Sequence, residues 1–183
     1  MEIKCKCRSI LFFGFLVTVI LGTLFHFAFS YSGYSTIVGA FTPVNESVWE
    51  HLKLLLFPTI IISVVEYIMC GKNRNGYIIS KTISLIIGLA FIVTAYYTYT
   101  GASGNESFIA DIIIFILSCA ITSFLTCIFM NCKTIRFDDT KTIIAILILT
   151  AIILMFVYFT FDPPMLELFR DPISEDFGIQ YDI

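Results

Sequence analysis

Charge is what this chain has least of. Only 14% of its 183 residues are Asp, Glu, Lys or Arg, against about 25% in an ordinary soluble domain. So few charges cannot cover the surface of a water-soluble protein of this size. No basic patch with interleaved aromatics occurs, which excludes a nucleic-acid interface of the usual kind. No internal repeat or low-complexity tract stands out, and no linker is long enough to hold a second domain. Zinc-protease His-Glu-x-x-His spacing is absent, as is a Ser-His-Asp nucleophile pattern. The six cysteines do not suggest a disulfide framework. Cys5, Cys7, Cys70 and Cys132 fall where cytoplasmic ends are expected, in a reducing compartment. Cys119 and Cys127 fall within an apolar run. Cys5-x-Cys7 lacks the second half of a zinc site.

What is present is hydrophobic. The chain is 58% apolar with a mean hydropathy of +0.92, so a lipid bilayer is the partner that composition implies. A helix needs about 20 apolar residues to cross the hydrocarbon core. Such runs lie near 9–30, 46–70, 78–100, 108–131 and 142–161. Polar, glycine-containing loops separate them. The expected fold is therefore an all-α integral membrane bundle of five transmembrane helices in one domain, residues 1–183, with a tail at 162–183. Lys4, Lys6, Arg8, Lys72, Arg74, Lys81, Lys133, Arg136 and Lys141 make nine of the eleven basic residues, and all fall at alternate ends of the runs. That bias places the N-terminus in the cytoplasm and the C-terminal tail outside. The first run is too long for a signal-peptide core and contains His26, so it is read as a retained span. Its setting is read as a bacterial cytoplasmic membrane, where the outward-facing Asn45-Glu-Ser47 and Asn105-Glu-Ser107 acceptor patterns carry no weight.

Ionisable groups inside such spans need explaining, because each costs roughly 2.5–3.5 kcal/mol on insertion scales. His26, Glu46, Glu50, His51 and Asp111 gather at the outer ends, and only Glu66 lies deep towards the inner end, with Lys81 or Arg74 as partner. Gly14, Thr18, Gly22 and His26 recur every four residues, a stripe that allows close helix approach. Asp111, Ser118, Thr122 and Thr126 share a face of the fourth span, and Thr59, Ser63 and Glu66 a face of the second. The fifth span is nearly all aliphatic and reads as lipid-facing. Tyr96, Tyr97 and Tyr99 fit an interfacial belt. Packing alone accounts for many Ser, Thr and Tyr residues, but poorly for the one-sided gathering of acids and histidines.

The most informative segment is Phe41-Thr-Pro-Val-Asn-Glu-Ser-Val-Trp-Glu-His-Leu-Lys53. Thr42 or Asn45 can cap a helix with Pro43 near its start, and Glu46 and Glu50 suit the positive end of its dipole. Lys53 can reach towards water, and Pro58 should kink the helix below. Capping leaves Glu50 and His51 unexplained. His26 and His51, the only histidines, together with Glu50 make a candidate set for zinc or another divalent transition metal. Asn45, Glu46, Glu50, His51, His26 and Asp111 are the candidates for a polar pocket without one.

The Pro43-Val-Asn-Glu-Ser-Val-Trp-Glu-His-Leu-Lys53 segment resembles the hallmark of an uncharacterised family of small bacterial polytopic membrane proteins. Pro163-Pro…Leu168-Phe-x-Asp-Pro172…Gly178-Ile179 resembles that family's C-terminal motif. The family pattern often has Asn at the position of Asp162 and His at that of Met165, and these departures weaken any role for a tail imidazole. The resemblance implies the five-span layout and no activity. Three functional readings stay open. One is an ion or small-molecule binding or transport-related protein with an outward-facing pocket. Another is a membrane-embedded metal-dependent hydrolase with Glu50 as base. The third is an accessory subunit without a ligand site. Large apolar residues in the acidic tail predict that it folds back over the outer ends of the spans.

Overall fold

The computed structural model describes residues 2–72, 76–131 and 138–179, with side chains from residue 7. Lys4, Cys5, Lys6, Arg74, Cys132, Lys133 and Arg136, invoked above, fall outside those residues or side chains. Six α-helices follow in order: α1 (Glu2–Tyr31), α2 (Thr36–Gly39), α3 (Val48–Glu66), α4 (Tyr77–Ser103), α5 (Phe108–Asn131) and α6 (Asp139–Phe161). The described residues contain no strand, only an antiparallel bridge between Arg170 and Phe177. All but α2 are long and apolar enough to cross a membrane.

Helix α3 lies between α1 and α4, α5 closes the space between α1 and α4, and α6 packs on α4. Half of the apolar stretch of α3 is buried, but only 11% of that of α6, in keeping with a lipid-facing fifth span. Glycine sets the closest approach of α1. A Cβ on Gly22 would stand 2.6 Å from the Leu54 carbonyl oxygen, and one on Gly14 1.9 Å from Glu66 Oε1. The stripe from Gly14 to His26 is therefore the face that α1 turns to α3. On α5, Ser118, Thr122 and Thr126 are buried, and their hydroxyls donate to carbonyls one turn back, at Phe115, Ser118 and Thr122. Of these only Thr122 also reaches across, to the Ser84 carbonyl at 3.5 Å. Their role is compact packing more than interhelical bonding.

Helix α3 starts later than the sequence suggests. Ser47, not Thr42 or Asn45, is the cap, accepting from the Glu50 amide. Asn45 is engaged elsewhere: its Oδ1 accepts from the Ser47 amide and its Nδ2 donates to the Gly178 carbonyl, both at 3.0 Å. Glu46 thus stands before the helix, free of its axis. Pro58 lies inside the continuous helical run, and a π turn follows that run at Tyr67–Gly71.

The tail returns over the end of the bundle where α3 begins. Phe169 is buried against Trp49, with ring centroids 4.6 Å apart, and Trp49 stacks on Phe156 at 4.1 Å. The Ile179 amide donates to the Thr160 carbonyl. Gly178 makes this return with φ +68°, and a Cβ there would stand 3.0 Å from the same carbonyl.

Candidate functional site

Three elements bring three donor groups together at this end of the bundle. His26 comes from the last turns of α1, His51 from the first turn of α3, and Glu46 from the segment before it. The Nε2 atoms of the two imidazoles are 3.3 Å apart. Glu46 Oε2 lies 3.3 Å from His51 Nε2 and 3.8 Å from His26 Nε2. His51 Nδ1 is 3.0 Å from the Ser47 carbonyl. A carbonyl only accepts, so this nitrogen carries the proton and leaves Nε2 of the neutral ring with a free lone pair. Nε2 then points at a carboxylate and at a second imidazole. Either a further proton makes His51 an imidazolium, or a metal cation takes that proton's place. The hydrogen bond from His51, helped by the charge of both imidazoles, holds the Glu46 carboxyl below the usual carboxylate range despite partial burial. The side chains of His26, His51 and Glu46 are 31%, 29% and 43% exposed, so the cluster is only partly buried.

Glu50 is not part of this trio. Its side chain turns into the bundle, where Oε2 accepts from Lys53 Nζ at 2.6 Å and from the Val44 amide at 3.0 Å. Lys53 is wholly buried, in place of the expected reach to water. Its ammonium also donates to Thr160 Oγ1 at 2.6 Å and to the Gly39 and Thr42 carbonyls. Helix α2 and the loop after it fold across the lysine and supply those carbonyls. The carboxylate is therefore neutralised inside the protein instead of at the open cluster.

Asp111 accepts from the Tyr99 hydroxyl and lies within electrostatic range of His51. Tyr96 donates to Glu106. Tyr96 and Tyr97 line a neighbouring cavity of about 300 Å³ together with Glu167 and Arg170 of the tail. Arg170 is already paired with Glu167 and Glu175. Asn45, a pocket candidate, instead ties this segment to the tail. At the opposite end, Glu66 pairs with Lys81 at 2.8 Å and accepts from the Tyr77 hydroxyl at 2.6 Å. Lys81 was one of two partners offered by sequence, and Arg74 lies outside the described residues. Sequence reasoning missed Thr160 and Tyr77. Neither has a local signal, because each meets its partner only through tertiary packing.

The fold and its polar end define a class: an all-helical chain with five helices long and apolar enough to span a bilayer, with ionisable groups clustered where its loops meet. The chain belongs to a family of unknown function (DUF6512), whose family model matches residues 1–179. No curated protein and no solved structure matches it.

Proposed function

We propose that the protein is a metal-binding membrane protein whose His26, His51 and Glu46 hold a divalent transition ion of the zinc class at one rim of the bundle. The observation that carries this reading is the spacing of the donors. Ligands at 2.0–2.1 Å around a tetrahedral zinc stand about 3.3–3.4 Å from one another. The three donor separations here are 3.3, 3.3 and 3.8 Å. The Ser47 carbonyl adds the outer partner that fixes a ligating imidazole in the right tautomer. Three protein ligands and partial exposure leave a fourth position for water or a small ligand. Hydrolysis would need a base beside that position. Glu50 is committed to Lys53 and Val44, so ion binding is the better supported reading. In this reading the rim faces away from the cytoplasm, on the strength of the Lys and Arg bias.

Metal analysis of the purified full chain tests it. The expected content is one zinc per chain after exposure to zinc and removal of excess. His26→Ala and His51→Ala should each weaken binding by at least about a hundredfold. Glu46→Gln should weaken it, and Glu50→Gln should leave the metal content unchanged. Wild-type protein that retains no zinc, or equal retention by the double histidine variant, would refute the assignment.

A further inference from the structure

At the end remote from the histidines, α1 and α5 enclose a groove of about 730 Å³. The two helices touch closely near Gly22, where an added Cβ would stand 2.5 Å from the Phe115 ring. The groove opens further along, between residues 8–15 of α1 and 120–131 of α5. Measured at 1.5 Å per residue, it runs about 16 Å along α5. Its walls include Phe12, Phe15, Phe124 and Ile128. Phe12 and Phe124 are more than half exposed, at 57% and 63%, so the groove opens sideways from the bundle.

One end is polar. Arg8 and Asn131 stand there, at the start of the apolar stretch of α1 and the end of that of α5. Arg8 is exposed, and no acidic partner for it occurs among the described residues. The nearest charges in the neighbouring sequence are basic, Lys4 and Lys6 before Arg8 and Lys133 and Arg136 after Asn131, with Glu2, Asp138 and Asp139 further off. A long apolar trough with a cation and an amide at its boundary matches a molecule with an anionic head and a hydrocarbon tail.

We propose that this groove is a binding site for an anionic phospholipid, with the headgroup phosphate at Arg8 and an acyl chain laid between α1 and α5. Free phosphate compounds lack the tail that the aromatic walls would contact. Zwitterionic lipids lack the net negative charge that an exposed guanidinium favours. The site is independent of the metal reading, since it shares no residue with the histidine cluster.

Native mass spectrometry of the full chain in neutral detergent tests the site with three probes: dioleoyl phosphatidylglycerol, dioleoyl phosphatidylcholine and glycerol 3-phosphate. Phosphatidylglycerol should bind at least about fivefold more tightly than phosphatidylcholine, the factor that one basic residue near a membrane surface supplies. Arg8→Gln should bring the two lipids to parity while leaving the melting temperature unchanged. Ala120→Phe, which fills the groove, should weaken both lipids. Equal binding of the two lipids by wild type would overturn the proposal. So would a headgroup preference that survives Arg8→Gln, or glycerol 3-phosphate binding as tightly as phosphatidylglycerol. Should Ala120→Phe fail to fold, the Arg8→Gln comparison decides alone.

Discussion

At the scale of single residues, Lys53 and Glu46 show how position relative to a helix start decides chemical fate. Lys53 has no exposed surface, and a buried ammonium is tolerated only when paired and fully hydrogen-bonded. Glu50, Thr160 and two carbonyls provide this. Replacing Lys53 by Met strands the Glu50 carboxylate and should cost about 3–5 kcal/mol, read by thermal or denaturant unfolding in detergent. The Glu50→Leu/Lys53→Met pair should recover most of that loss, because no charge is left buried alone. A double variant as unstable as the single one would contradict this. Glu46 has the opposite setting. Its carboxyl titrates below the usual range because His51 and His26 face it, so it stays a carboxylate as the pH falls. Protons therefore compete for the metal at the histidines. Zinc affinity should fall as the pH is lowered, because an imidazole binds metal only in its neutral form, as measured by a competing chelator, and a pH-independent affinity between about 5 and 8 would argue against imidazole ligation.

Among the elements, the segment from Val44 to Ser47 joins the most parts of the fold. Val44 binds Glu50, Asn45 binds Gly178 of the tail, Glu46 faces both histidines, and Ser47 caps α3. Asn45→Ala removes the side-chain tie to the tail and should make residues 162–179 several-fold more sensitive to limited proteolysis, with the helices intact. Unchanged cleavage would mean that the aromatic packing of Phe169 on Trp49 holds the tail unaided. This segment is also where the sequence was hardest to read. Helix existence was legible from apolar run length, and the face of α1 from its four-residue stripe, because both depend on local periodicity. The start of α3 was not, since Asn45 and Ser47 are equally good caps in isolation and Thr42 is a serviceable one. Choosing Ser47 moves Glu46 off the helix and towards the imidazoles. Glu50 turns inward to a lysine three residues on, whose remaining partners are remote in sequence.

Across the whole molecule, the two ends of the bundle differ in kind. One gathers His26, Glu46 and His51 at the end to which the tail returns, and the other carries the Glu66–Lys81 pair and the Arg8 groove. The proposed orientation puts the first end outside the cell. In a cysteine-free background, Ser103→Cys at the end of α4 should react with a membrane-impermeant maleimide on intact cells, and Asp139→Cys at the start of α6 should not. The reverse pattern would invert the topology.

X-ray absorption at the zinc edge of the loaded protein examines the metal assignment most directly. Two imidazole nitrogens and oxygen ligands at about 2.0–2.1 Å are predicted, with the imidazole signal reduced in His51→Ala. A sulfur shell near 2.3 Å, or a fully hydrated ion without imidazole scattering, would contradict the account.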